Sequence, residues 1–88
     1  MIKVTTKSGF TAEISEAALD DMELLDAVAR LEDGDVYVLG GVCERLLGKE
    51  QRTRLYEHLR GKDGRVSTRA VAQTVTDILK GCGEEKNS

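Results

Sequence analysis

Residues 1–14 read MIKVTTKSGFTAEI, and apolar and polar side chains alternate along this stretch on both sides of Ser8 and Gly9. A period of two residues is typical of a strand with one buried face, and a serine-glycine pair favours a turn. The side chains predicted to face inward are Ile2, Val4, Thr6, Phe10, Ala12 and Ile14. The stretch therefore predicts a β-hairpin, which needs a helical partner because two strands alone are marginally stable in water.

The chain after the hairpin changes to helical periodicity. A first helix is predicted from an N-cap at Ser15 to about Leu31. Its apolar residues form two neighbouring stripes, predicted to make one broad apolar face: Leu24, Val28 and Leu31 in one, and Ala18, Met22, Leu25 and Ala29 in the other. Gly34 is predicted to take the left-handed conformation that ends this helix, and Asp35 to cap the next element.

The segment 36–47 is open to two interpretations. Val36 to Leu39 could form a short strand, whereas Val42, Cys43, Leu46 and Leu47 have helical spacing. We favour a helix, although Gly40 and Gly41 each lower helix propensity by about 1 kcal/mol relative to alanine. Close approach of a neighbouring element would be a physical reason for glycines at that point.

The second half predicts two more helices. Gly48 separates a charged helix over residues 49–60 from the preceding element, and residues 61–64 form a turn. The last helix is predicted to begin at Ser67 or Thr68 and to end at Lys80, with Gly81 in the stop position. Its predicted buried residues are Val71, Val75, Ile78 and Leu79.

These elements predict a single α+β domain over residues 1–82. It is expected to be mainly α-helical, with about four helices and a short N-terminal β-hairpin. Residues 83–88 contain no apolar side chain that could pack into a core, and they predict a flexible polar tail.

Composition limits the kinds of function that the chain can support. It has 88 residues, of which 33% are charged, and a net charge of −3. A chain this short buries only about 60–65% of its surface, which favours an open binding surface over an enclosed cavity. The negative net charge argues against long-range attraction to nucleic acid or anionic lipid. A long apolar run and a signal-peptide core are both missing from the sequence, so we predict a cytoplasmic protein that does not enter the membrane.

No cofactor, metal or catalytic motif emerges from the sequence. His58 lies among charged helix residues, so we interpret it as an ordinary helix residue and neither a metal ligand nor a general base. Cys43 is predicted to be an inert core thiol and Cys82 an exposed one, both reduced. The acidic residues around Gly34 lack the spacing of a calcium loop, and the glycines do not form a phosphate-binding loop. We therefore predict a protein that is not an enzyme.

The basic residues of the second half leave a DNA-binding alternative open. They are Lys49, Arg52, Arg54, Arg60, Lys62, Arg65 and Arg69. A helix, a glycine turn and a helix beginning at Ser67 would suit a helix-turn-helix regulator that uses the basic edge around residues 49–69. Acidic residues interleave with the basic ones, and residues 61–66 are long for that motif's tight turn. We therefore favour a solvated helix face, with nucleic acid the less favoured partner.

The stretch from Leu46 to Val66, LLGKEQRTRLYEHLRGKDGRV, resembles a segment of the tail assembly chaperones of long-tailed bacteriophages (siphoviruses) and related prophages. The matching residues are Leu46, Leu47, Gly48, Glu50, Gln51, Leu55, His58, Leu59, Asp63, Gly64, Arg65 and Val66. The acidic stretch DDMELL at residues 20–25 is similar to the family's entry into its first long helix. Residues 37–41 depart from the family's pattern, in which a less glycine-rich or proline-containing link is expected.

The resemblance implies a protein of tail morphogenesis that coats the tape-measure protein and helps to recruit the tail-tube subunit. It also implies a longer product made by ribosomal frameshifting, with residues 83–88 as the place of the junction. Such a chaperone works through repeated weak apolar contacts, which a homo-oligomer would multiply. We predict partner contacts at Tyr37, Leu39 and Tyr56; the alternative is that all three are partly buried packing residues. A structural component of the finished virion is a further alternative.

Overall fold

The fold is mainly helical and belongs to the α+β class, as the sequence predicts. The computed structural model describes the backbone of residues 1–87 and the side chains of residues 1–83. Within that part of the chain, the elements are strands β1 (Ile2–Thr5) and β2 (Thr11–Ile14), helices α1 (Glu16–Leu19) and α2 (Met22–Glu32), a 3₁₀ turn (Val36–Val38), and helices α3 (Leu39–Leu59) and α4 (Thr68–Asn87). In residues 1–87 no helix combines the length with the apolar character that crossing a membrane requires.

The predicted hairpin is confirmed. Strands β1 and β2 are antiparallel, with Ile2 opposite Ile14 and Val4 opposite Ala12. The turn between them is closed by backbone hydrogen bonds, because the Gly9 N–H donates to the Thr6 carbonyl at 3.0 Å. All six side chains predicted to face inward are buried. Helix α4 packs against β1 and α3 against β2, so the helices supply the cover that an isolated hairpin lacks.

The core lies between the inner face of the hairpin and helices α3 and α4. The largest side chains with almost no exposed surface are Ile14, Val42, Cys43, Leu55, Val75 and Ile78. They come from β2, from both halves of α3 and from α4. These elements therefore depend on one another for burial, as expected of one small hydrophobic core.

The single helix predicted from Ser15 to Leu31 is wrong, because the chain breaks into α1 and α2 at Asp20 and Asp21. Ser15 caps α1 as predicted, and its hydroxyl accepts a hydrogen bond from the Ala18 N–H at 3.1 Å. Asp21 then starts a new helix, because its carboxylate accepts from the backbone N–H of the residues two and three positions later. An aspartate near a predicted helix start can lie inside the helix or cap it. Here Asp21 caps α2, and its carboxylate pairs with backbone N–H groups that have no partner within the helix.

The helical interpretation of the segment after Asp35 is confirmed. The Asp35 carboxylate accepts from the Tyr37 N–H at 3.2 Å, and the 3₁₀ turn that it caps leads directly into α3. Gly48 divides α3 into the two predicted helical pieces with φ of 81° and ψ of 167°. Only glycine adopts this backbone conformation without steric cost, so Gly48 sets the angle between the two pieces.

Helix α4 does not end where the sequence predicts. Its predicted start is confirmed, because α4 begins at Thr68, and the Ser67 hydroxyl accepts a hydrogen bond from the Ala70 N–H at 3.2 Å. The helix continues past Lys80 to Asn87, so the stop predicted at Gly81 is wrong. Gly81 instead allows α4 to touch β1: a Cβ placed on it would lie 2.6 Å from Val4 Cγ1. A flexible polar tail is predicted for residues 83–88. From residue 84 onward, its side chains lie outside the described part of the chain.

Candidate protein-binding surface

The three residues predicted to contact partners differ in their exposure. Tyr37 is 95% exposed and lies in the 3₁₀ turn that Asp35 caps. Tyr56 is half-buried on the second piece of α3. Leu39 is only 5% exposed, so its predicted place on the surface is wrong. Leu39 is the first residue of α3 and packs into the core because helical periodicity directs it inward with Val42 and Cys43.

An open groove brings Leu39 and Tyr56 together. Its volume is about 280 Å³, and it runs between the 3₁₀ turn, α3 and the start of α4. The residues that line it are Val36, Leu39, Gly40, Tyr56, Val66, Thr68 and Val71. Tyr37 does not line this groove, although it follows Val36 in the chain. The groove could accept one apolar side chain of a bound protein.

Tyr56 is held in this groove by its neighbours. A Cβ on Gly40 would lie 3.7 Å from the Tyr56 hydroxyl, an ordinary van der Waals distance, so the first turn of α3 packs beside this hydroxyl. The Arg52 guanidinium lies over the ring at 5.9 Å from its centroid. Burial raises the pKa of Tyr56, and the nearby Arg52 opposes this effect only in part. A tyrosine hydroxyl is protonated at neutral pH and can donate a hydrogen bond to a partner.

Helix α2 has a second apolar stripe that faces solvent. Consecutive helix residues are about 100° apart, so Met22, Leu25 and Ala29 share one face, roughly a third of a turn from Leu24. Leu24 is buried with the partly buried Val28 beside it, whereas Met22 and Leu25 are 66% and 60% exposed. The rest of the fold therefore covers only one stripe of the broad apolar face predicted for this helix. We call Met22, Leu25 and Ala29 the outer face of α2.

The sequence contains a signal for this outer face that periodicity alone could not interpret. A helix with two apolar stripes needs two partners, and this small domain provides a partner for only one of them. Val36 and Tyr37, both exposed, follow the C-terminal end of α2 across the Gly34 turn. Exposed apolar side chains thus concentrate on α2 and the 3₁₀ turn.

Several basic residues of the possible DNA-binding edge are occupied by contacts within the chain. Arg60 bonds Glu57 at 2.8 Å and the Gly64 carbonyl at 2.7 Å. Arg52 lies 3.3 Å from Glu44, and Arg54 lies over the Phe10 ring. The link between α3 and α4 is closed by a backbone bridge between Arg60 and Val66, and so differs from a tight helix-turn-helix connection.

His58 has the structural role expected of an ordinary helix residue. Its Nε2–H donates to the Ser8 carbonyl at 2.8 Å, and its ring lies 5.8 Å from the Phe10 ring. These contacts join α3 to the hairpin turn. Within the described part of the chain, no three His, Cys, Asp or Glu side chains are grouped closely enough to hold a metal ion.

Both cysteine side chains are buried free thiols, so the exposure predicted for Cys82 is wrong. Cys82 is buried because α4 continues past Gly81 and carries the next residue into the core. Burial raises the pKa of Cys43 to about 11, and it also raises the pKa of Cys82. A thiol must lose its proton before it can act as a nucleophile, so neither position favours nucleophilic chemistry at neutral pH.

We expect both thiols to react slowly in the folded protein. At pH 8 a thiol with a pKa near 11 is ionised in only about one molecule in a thousand. Iodoacetamide labelling followed by mass spectrometry should show little modification of Cys43 or Cys82 over a time in which a model thiol reacts completely. The same chain in denaturing urea should be labelled at both positions. Rapid labelling of folded Cys82 would contradict its burial.

Comparison of the chain with known protein families, with characterised proteins and with solved structures finds no match.

Proposed function

We propose that this chain is a non-enzymatic protein-binding module that acts as a tail assembly chaperone of a long-tailed bacteriophage or prophage. It would bind the tape-measure protein and the tail-tube subunit in the host cytoplasm during tail morphogenesis. The family assignment rests on the resemblance of residues 46–66 to a segment of that chaperone family. One observation of the fold supports binding: among the described residues, four of the five large exposed apolar side chains are Met22, Leu25, Val36 and Tyr37.

This concentration of apolar surface fits a chaperone better than an isolated structural unit. Single exposed apolar residues are ordinary on protein surfaces, whereas contiguous apolar patches mark interaction sites, and Met22 and Leu25 lie on the same face of α2. A tape-measure protein is long, helical and apolar, so it offers many equivalent apolar segments. Weak contacts repeated along such a partner keep it soluble without a deep pocket, and many bound copies together increase the effect.

The function can be tested by co-expressing the full chain with a tape-measure fragment that is insoluble alone. We expect the unchanged chain to move the fragment into the soluble fraction. The variant Leu25→Ser should lose most of this effect, because removing a central apolar contact weakens binding by roughly tenfold or more. Tyr37→Ser should act in the same direction.

Ala17→Ser is a matched control, because Ala17 is also an exposed helix position and lies outside the outer face of α2. It should leave the solubility of the fragment unchanged. If the unchanged chain leaves the fragment as insoluble as before, the proposed chaperone function is wrong. If the chain binds duplex DNA with an affinity that falls steeply with salt, a DNA-binding function replaces it.

A further inference from the structure

The outer face of α2 lies in strongly acidic surroundings. Residues 16–35 contain eight carboxylate side chains and one basic side chain, Arg30. Arg45, from α3, partly neutralises two of the carboxylates, since it lies 3.3 Å from Asp21 and 3.4 Å from Glu23. The apolar stripe is therefore flanked by an excess of negative charge.

Within the described part of the chain, the carboxylates nearer the C-terminal end of α2 form no ion pair. Asp26, Glu32, Asp33 and Asp35 are all exposed. Among the described residues, no basic side chain lies within 4.0 Å of these four carboxylates. Asp26 and Asp33 are on the same side of the helix as Met22, since the separations of four and eleven residues return to nearly the same direction. Charge and apolar surface thus occur together on one side of α2.

This charge distribution decides between possible occupants of the outer face. A second copy bound symmetrically would place two identical acidic helices against each other, because a twofold interface joins the same patch on both subunits. Like charges facing each other oppose such a complex, and an anionic membrane surface would be repelled for the same reason. A partner with basic groups beside an apolar stripe matches both the negative charge and the apolar side chains of this face.

We infer that the outer face of α2 binds an amphipathic helix whose apolar stripe is flanked by lysine or arginine. The inference rests on the proposed function and specifies the kind of segment in the protein partner that this surface recognises. Helix α2 has 11 residues and is about 16 Å long, so it can pair with roughly three turns of a partner helix. Leu25 and Met22 contact the apolar stripe, while Asp26 and Glu32 pair with the flanking basic side chains.

Two synthetic helical peptides of 18 residues test this inference. Both have the same leucine stripe, and they differ only in having lysine or glutamate beside it. We expect the unchanged full chain to bind the lysine peptide at least about tenfold more tightly at low salt, measured by fluorescence anisotropy. The preference should shrink as salt is added, because the flanking charges are exposed and screened. Leu25→Ser should weaken binding of the lysine peptide by a further factor of roughly ten.

Charge-reversal variants separate a specific site from general attraction to an acidic protein. The double variant Asp26→Lys with Glu32→Lys should lose the preference for the lysine peptide. The double variant Glu13→Lys with Glu50→Lys makes the same change in net charge at exposed positions elsewhere and should keep it. Equal losses in the two double variants, or equal binding of the two peptides by the unchanged chain, would overturn the inference.

The inference and the proposed function can fail separately. If the tape-measure fragment becomes soluble in a Leu25-dependent way while the two peptides bind equally, the charge requirement is wrong and the chaperone function stands. If the lysine peptide binds as expected while the fragment stays insoluble, the chaperone function is wrong and the recognition of basic helices stands. A dimer that dissociates in the Leu25→Ser variant, and that neither peptide disrupts, would show that the occupant is a second copy.

Discussion

Replacing Gly81 by alanine is expected to lower the free energy of unfolding by about 1–2 kcal/mol, although alanine is the better helix former. Alanine improves helix propensity by about 1 kcal/mol, but inserting an extra carbon into a closely packed contact costs about 2–3 kcal/mol. The new Cβ would lie 2.6 Å from Cγ1 and 3.1 Å from Cγ2 of Val4. Val4 is a stiff, β-branched residue in a paired strand, so it cannot move aside easily.

Two further variants make the Gly81 result specific. Gly83→Ala is the matched control, because Gly83 lies in the same helix and a Cβ added to it would meet nothing within 4 Å. It should stabilise the protein by up to about 1 kcal/mol through propensity alone. Adding Val4→Ala to Gly81→Ala should recover part of the loss by making room for the new methyl group. Urea unfolding measures the free energy of unfolding of each variant. Equal stability of Gly81→Ala and Gly83→Ala would mean that α4 does not touch β1 at Gly81.

Replacing Leu55 by alanine is expected to have the largest effect, a loss of about 3 kcal/mol in the free energy of unfolding. Leu55 is fully buried in the core between the hairpin and α4, so its removal leaves a cavity that the surroundings fill only in part. A small domain of this size has a total stability of about 5–10 kcal/mol, so the variant should unfold at a clearly lower urea concentration.

Leu25→Ala removes the same atoms from an exposed position, so it is the control for Leu55→Ala at a buried one. We expect it to change the free energy of unfolding by less than about 0.5 kcal/mol, since the leucine contributes little to the core. The contrast between Leu55 and Leu25 would show that the outer face of α2 is not needed for folding. A large loss of stability in Leu25→Ala would instead place this side chain in the folded core and remove the basis for a binding face.

Features decided by short-range patterns could be predicted from the sequence. The hairpin follows from alternation around Ser8 and Gly9, and the caps at Ser15 and Asp35 follow from hydrogen bonds to N–H groups two or three residues away. These interactions involve neighbours in the chain, so the sequence contains all the information that they need.

Features decided by long-range packing could not be predicted in the same way. Gly81 has the sequence environment of a helix stop, and only its contact with Val4 reveals why the helix continues through it. Cys82 is buried for the same reason. On α2, periodicity identifies apolar stripes, but which stripe the rest of the fold covers depends on where α3 lies. Periodicity therefore places Leu25 on the apolar face of the helix, and only the fold shows that Leu25 is exposed and a candidate binding residue.

The contact between Val4 and Gly81 has a consequence for synthesis on the ribosome. Strand β1 leaves the exit tunnel well before Gly81, which is translated 77 residues after Val4, and contacts between residues this far apart in the chain form slowly. Until then the inner face of the hairpin lacks part of its cover, and its apolar side chains are exposed in the nascent chain. The native core is therefore completed only after α4 has emerged from the ribosome.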